Sequence, residues 1–216
     1  MADNLYYLLS TNEKNKLISV YKIKPKFQQL LTPALKGLYK MGVSANQITL
    51  SSILLSLLIG IAFWYASYNK LLFLALPIGL FIRMALNALD GMMARIYNQQ
   101  TKKGEVLNEL GDVISDIFIF FPLLIYEKSI IYLIIIFICL SIINEFSGIL
   151  GKVISGQRQY DGPMGKSDRA FVIGVYGILS FFSINLSDYS FWIFVIINLL
   201  IITSTFFRIK KSLDRV

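Results

Sequence analysis

Residues 83–116 read RMALNALDGMMARIYNQQTKKGEVLNELGDVISD, and the reading of the whole chain turns on them. The stretch starts inside one apolar run and ends inside the next, so its charged residues fall within otherwise apolar segments. Asn87, Asp90 and Ala94 follow the i, i+3, i+7 rule and share one helix face, with Arg83 one turn earlier. Gly104, Asn108, Asp112 and Asp116 follow at steps of four and form a second stripe, with Glu109 at its edge. The connection over 97–103 is short, which predicts antiparallel neighbouring helices. At about 1.5 Å per residue, both stripes would lie roughly 5–15 Å below the same membrane surface.

The composition fits a membrane setting for this stretch. Of 216 residues, 56% are hydrophobic and only 16% charged, where soluble domains carry about 25% charged. Mean hydropathy is +0.63, which excludes a disordered chain. Six stretches approach the roughly 20 apolar residues that a crossing helix needs: about 47–66, 71–96, 107–126, 129–151, 170–187 and 189–207. The expected fold is therefore an all-α integral membrane protein. It has six transmembrane helices and an N-terminal amphipathic interfacial helix. The corresponding division is an arm over 1–45, a six-helix domain over 46–210 and a short tail over 211–216. No secretory signal peptide is read at the N-terminus, because Met1–Ser10 lacks positive charge and a charged stretch follows it.

In the arm, lysines such as Lys14, Lys22, Lys36 and Lys40 interleave with Leu17, Tyr21, Leu31, Leu35, Leu38 and Tyr39. This pattern predicts a helix lying in the interface, with a solvated arm as the other reading. Asn46 is the expected N-cap of the first span. Net charge is +8. On a soluble protein that would suggest nucleic acid, but here the charge follows the loops, and no nucleic-acid partner is expected. Eighteen of the 21 Lys and Arg residues lie in the arm, the 2–3 and 4–5 connections and the stretch after the sixth span, from Arg208 onward. Lys70 and Lys128 stand on the other side, and Arg83 lies inside a span. This alternation predicts a protein of the cytoplasmic (inner) membrane with both termini and the polar cluster on the cytoplasmic side.

The chain has no histidine and a single cysteine, Cys139. Ser-His-Asp and Cys-His catalysis, His-held zinc and an intrachain disulfide are thereby excluded. Ionisable groups inside spans are costly and point to function. Carboxyl and amide oxygens facing one another near the membrane surface can cage a hard cation such as magnesium. Gly91 and Gly104 leave room for a bulky polar ligand. Arg83 could instead serve structure alone by pairing with Glu145 on the fourth span.

Asp90-Gly91-Met92-Met93-Ala94-Arg95, followed after eight residues by Gly104 and polar residues at steps of four, resembles the signature of the CDP-alcohol phosphotransferases. The family pattern is D-x-x-D-G-x-x-A-R, then G-x-x-x-D-x-x-x-D. In this chain Asn87 stands at the first aspartate and Asn108 at the third, with Asp112 at the fourth and Asp116 one turn deeper. A second register makes Asp112 and Asp116 the last two aspartates. The resemblance implies one or two divalent ions, Mg2+ or Mn2+, held among Asn87, Asp90, Asn108, Asp112 and Asp116. It further implies contacts to cytidine diphosphate from Asp90, Gly91, Ala94, Arg95 and Gly104. Asp112 or Asp116 would act as the base. The implied reaction moves a substituted phosphate from a CDP-alcohol, most often CDP-diacylglycerol, to a small alcohol acceptor and releases CMP. A homodimer is also implied.

Lys166 and Arg169, three apart at the start of the fifth span, match a basic pair found in members that take a phosphorylated acceptor such as glycerol 3-phosphate. Ordinary loop charge accounts for them equally well. Two other classes compete with the enzyme. One is a family member that keeps the cage as a lipid- or nucleotide-binding protein. The other is a cation-coupled transporter, which the one-sided clustering of the acids and the lack of inverted repeats speak against.

Overall fold

The computed structural model describes residues 24–215, and within them every regular element is helical. The arm residues Lys14, Leu17, Tyr21 and Lys22 lie outside the described residues, as does Val216. Helix α1 spans Lys24–Lys40, α2 Ala45–Trp64 and α3 Ala75–Ile96. Then come α4 over Lys102–Phe120, α5 over Ile131–Ser155, α6 over Lys166–Phe181 and α7 over Ser187–Leu213.

Local chemistry moves several ends away from the expected ones. Ser44, not Asn46, caps α2: its hydroxyl accepts from the Gln47 amide, and Gln47 Oε1 accepts from the Ser44 amide at 2.8 Å. Ser44 has the extended backbone that a capping box needs, whereas Asn46 already lies inside the helix. Thr101 caps α4 by accepting from the Gly104 amide at 2.9 Å. The polar residues before position 107 are thus the first turns of α4 and not a loop. At its other end α4 stops at Phe120, just before Pro122. α5 continues to Ser155, and α7 runs through the basic tail to Leu213.

Four segments are long and apolar enough to cross a membrane: Ala45–Trp64, Lys70–Ile96, Lys128–Ser155 and Asp188–Leu213. The protein is an all-α integral membrane protein. The six expected crossings separate here into two kinds. α4 places Glu105, Glu109, Asp112 and Asp116 within 19 residues, and α6 has only 16 residues. Neither has the composition or length to cross on apolarity alone.

α2 is the hub, packing against both α3 and α4. α5 lies along α7, α6 against α3, and α1 against α3. α2 is built inside out. Ser52, Ser56 and Gly60 face its neighbours, while Leu50, Leu54 and Leu58 face outward. Small inward residues allow close approach where lipid supplies no hydrophobic drive. A Cβ built on Gly60 would stand 2.3 Å from the Phe118 carbonyl oxygen, and one on Gly111 2.6 Å from Ile53 Cδ1. The α2–α4 contact therefore depends on hydrogen atoms at both places. One end of the bundle is filled by apolar side chains, among them Phe63, Leu76, Phe120, Phe137, Ile173 and Ile201. The other end carries the polar groups.

Gly60→Leu is expected to push α2 from α4 and lower stability by about 1–3 kcal/mol through overpacking. A thermal unfolding scan in detergent checks this, and an unchanged midpoint would refute the close contact.

Candidate active site

The polar end opens into a cavity of about 720 Å³ where α2 and α4 begin and α3 and α5 end. α2 orients the side chains of α3. Thr49 Oγ1 donates to Asp90 Oδ2 at 2.9 Å, and Ser52 Oγ donates to Asn87 Oδ1 at 2.7 Å. Neither hydroxyl stood out in the sequence, because Ser and Thr in an apolar run are commonplace; only the packing of α2 on α3 gives them a partner. Asn46 is a further wall residue that sequence reading put to another use. A Cβ on Gly104 would come within 2.7 Å of Asn46 Oδ1. On α3, the Arg95 guanidinium folds back over Gly91.

The acids of α4 are answered in order by cations between Lys152 and Arg169. Glu105 pairs with Lys152. Glu109 lies 3.0 Å from Arg158, and Asp112 pairs with Lys166. Asp116 Oδ2 accepts from Arg169 at 3.0 Å, while its Oδ1 accepts from Arg83 at 2.8 Å. The acid stripe that makes these pairs is 105, 109, 112 and 116, and it differs from the expected stripe of 104, 108, 112 and 116 by including both glutamates. The spacing of four, three and four was available in the sequence as a signal. Its meaning was not, since the answering cations are about 50 residues away.

Asn87, Asp90, Gly91, Ala94, Arg95, Gly104, Asn108, Asp112 and Lys166 all line the cavity. Asp116 and Arg169 do not. One turn deeper on α4, Asp116 has both oxygens held by Arg83 and Arg169. Arg169 is 1% exposed and also donates to Glu145, Asn144 and the Met164 carbonyl oxygen. Nor does Arg83 pair with Glu145. Glu145 is taken at 2.7 Å by Arg158 and at 2.8 Å by Arg169, with Arg208 at 3.9 Å.

Arg158 and Lys152, read from the sequence only as loop charge of the 4–5 connection, also reach the cavity wall. Arg158 lies in the α5–α6 connection, 4.9 Å over the Tyr160 ring. Burial alone would weaken its charge, but Glu145, Tyr160 and Glu109 outweigh this and hold its pKa above the ordinary guanidinium range.

Every donor that could serve a metal here is oxygen, the preference of a hard cation. Among the described residues no three of His, Cys, Asp and Glu converge as a ready metal cluster. Four carboxylates line the wall, Asp90, Glu105, Glu109 and Asp112; Asp90 and Asp112 have the side-chain amides Asn87 and Asn108 about one turn away on the same helices. The Lys166 ammonium pairs with Asp112. The oxygen chemistry of these donors suits a hard cation.

The structure is thus a helical membrane bundle whose polar end encloses a chamber lined by carboxylates, side-chain amides and cations. The chain belongs to the CDP-alcohol phosphatidyltransferase family, whose model matches residues 42–207. It is thus a transferase of substituted phosphate groups, with its place in phospholipid biosynthesis. A relative from Escherichia coli (strain K12), "Inner membrane protein YnbA", is 52% identical over 161 residues, covering 74% of this chain and 80% of that protein. "Archaetidylinositol phosphate synthase" of Pyrococcus horikoshii is 36% identical over 100 residues, 46% of this chain and 50% of that protein. Among solved structures, the Mycobacterium tuberculosis phosphatidylinositol phosphate synthase PgsA1 shares the fold. Its complex with manganese and citrate gives a TM-score of 0.68 at 19% identity, covering 84% of this chain and 88% of that one. Its form with CDP-DAG bound gives 0.61 at 21% identity, covering 87% and 93%.

Asp116→Ala would leave Arg83 and Arg169 buried without their shared acid. It is expected to cost about 3–5 kcal/mol of stability. Glu105→Ala, at a half-exposed pair, should cost under about 1 kcal/mol. Unfolding midpoints of the two variants, measured side by side, check the order.

Proposed function

We propose that the protein transfers a phosphatidyl group from CDP-diacylglycerol to the hydroxyl of an acceptor alcohol and releases CMP. The observation that carries this reading is that Asp90 and Asp112, from two different helices, line one cavity with Asn87 and Asn108 each about one turn away. The family match and the polar chamber support it.

In this reading Asp90, Asp112, Asn87 and Asn108 hold a divalent cation, Mg2+ or Mn2+. Such an ion, when bound, supplies positive charge to the two phosphates of the donor. Arg95, folded over Gly91, and the backbone near Gly91, Ala94 and Gly104 receive the cytidine diphosphate. Thr49 and Ser52 fix the rotamers of Asp90 and Asn87, so these groups are already oriented when substrate arrives. Asp112 takes the proton of the attacking hydroxyl. The new bond joins the acceptor oxygen to phosphorus, and the bond to the CMP phosphate breaks. Asp116 is left out of this role because Arg83 and Arg169 occupy both its oxygens. Of the pair expected to grip a phosphorylated acceptor, only Lys166 reaches the cavity.

We assign six crossings, with α4 and α6 entering the membrane sheltered by their neighbours, and α1 lying in the interface. The basic loops and both termini then face the cytoplasm, and so does the cavity, in the inner membrane. The distribution of Lys and Arg along the chain supports this orientation. So does α1, which buries Leu35 against the bundle while Lys26, Lys36 and Lys40 stay exposed.

With CDP-diacylglycerol, Mg2+ or Mn2+ and a panel of alcohols, protein in lipid nanodiscs should release CMP. Asp90→Ala and Asp112→Ala should each lower the rate by roughly 10²-fold or more. Wild-type rates in both variants would refute the assignment.

A further inference from the structure

We propose that the end of α7 is a brace for the reaction: Ser204, Lys211 and Arg215 are positioning residues that hold the α5–α6 connection against the chamber and act through Arg158 and Tyr160. This rests on the transferase reading above. The connection, 156–165, has no regular structure of its own. It nevertheless supplies Arg158 and Tyr160 to the chamber wall, and α6, which it leads into, supplies Lys166. No helical backbone fixes Arg158 and Tyr160, so their places depend on what packs behind the connection.

Behind it stands α7. With 27 residues at about 1.5 Å each, α7 is roughly 40 Å long against about 30 Å of hydrocarbon, so its last turns leave the apolar layer. Ser204, Arg208 and Lys211 follow the i, i+4, i+7 rule and share one face there, and Arg215 follows just past the helix end. All four reach the connection. Ser204 Oγ and Arg208 Nε each donate to the Asp161 carbonyl oxygen at 3.2 Å. Lys211 lies 2.9 Å from the Asp161 carboxylate, and Arg215 donates to Gln157 Oε1 at 3.1 Å. The contact is close: Gly162 has a φ of +117°, and a Cβ on it would stand 2.1 Å from Ser204 Oγ. On the other side the Gln159 amide donates to the Gly148 carbonyl oxygen at 3.2 Å, and a Cβ on Gly151 would come within 2.6 Å of Gln159 Cγ. The connection is thus clamped between α5 and α7 while Arg158 and Tyr160 line the chamber.

Basic residues just beyond a span ordinarily face the headgroups of the membrane surface. Here Lys211 turns to a carboxylate of its own chain, and Arg208 is 2% exposed. The Lys211 and Asp161 side chains are 41% and 25% exposed, so their pair contributes little to stability. Its effect is geometric. It fixes Asp161, which adjoins Tyr160 and lies three residues from Arg158. A connection that slips from α7 carries a wall charge with it, and misplacing a group by about 1 Å can cost as much as roughly 10²-fold in rate.

The test reverses the pair and then exchanges it. K211E sets two carboxylates against each other, and D161K/K211E restores the pair with its signs exchanged. CMP release is followed in nanodiscs with CDP-diacylglycerol, Mn2+ and whichever alcohol of a panel wild type uses best. Amide hydrogen exchange over 156–165 is measured on the same samples without substrate. K211E should lower kcat/KM by about tenfold and speed exchange in that segment, with the unfolding midpoint within about 2 °C of wild type. D161K/K211E should bring rate and protection back to within about threefold of wild type. A surface pair that served stability alone would not cost rate at an unchanged midpoint. Unchanged kcat/KM in K211E overturns the inference. So does unchanged exchange, or a loss of rate that the exchanged pair does not restore. If wild type releases no CMP with any alcohol, the transferase reading fails, and hydrogen exchange then still decides whether α7 holds the connection.

Discussion

The polar end of this bundle depends on charge pairing across its interior, where four acids of α4 meet four cations drawn from Lys152, Arg158, Lys166 and Arg169. The pairing changes character with depth. At the rim, Glu105 and Lys152 are half exposed and worth little. At the deepest step Asp116 and Arg169 are sealed from solvent, and removing Asp116 would strand Arg83 without an acid in a low-dielectric setting. Glu145 extends the network by gathering Arg158, Arg169 and Arg208, so α5, α6, α7 and their connections share one anion. Ion pairs of this kind do not lend large net stability. They fix which residue of α4 stands opposite which residue of the α5–α6 connection, and with that the position of Asp112 at the cavity.

The opposite wall is positioned by smaller means. α2 approaches α4 closely because Gly60 and Gly111 carry no side chain. It grips α3 through two hydroxyls, Thr49 to Asp90 and Ser52 to Asn87. One helix of serines, threonine and glycine therefore sets the two motif helices at the spacing that leaves a chamber between them. α3 and α4 pack mainly on α2 and meet each other chiefly through Arg83, which reaches Asp116 and the Asp112 carbonyl oxygen.

Much of this was legible in the sequence because hydropathy and helical period act locally. The apolar runs marked the helices, and the spacing of Asn87, Asp90, Asn108 and Asp112 placed them on faces that line one cavity. What the sequence did not disclose depends on partners distant along the chain. Asp116 has the same spacing as Asp112, yet two arginines from other helices take it out of the chamber. Arg169 matched a motif and proved to be the centre of a buried network. Arg208 looked like a tail residue, but α7 stays helical past the apolar span and buries it against Asn144 and Glu145. Ser44 displaced Asn46 as a cap through a reciprocal bond with Gln47 that local propensity alone leaves open.

Burial of Asp116 also bears on how the chain is made. During synthesis the third hydrophobic segment emerges with its carboxylate some fifty residues ahead of Arg169. Until that arginine arrives, the hairpin's own partner for this acid is Arg83. The pairing of Asp116 is therefore split in time: its bond to Arg83 lies within the α3–α4 hairpin, and its bond to Arg169 can form only once α6 has been made.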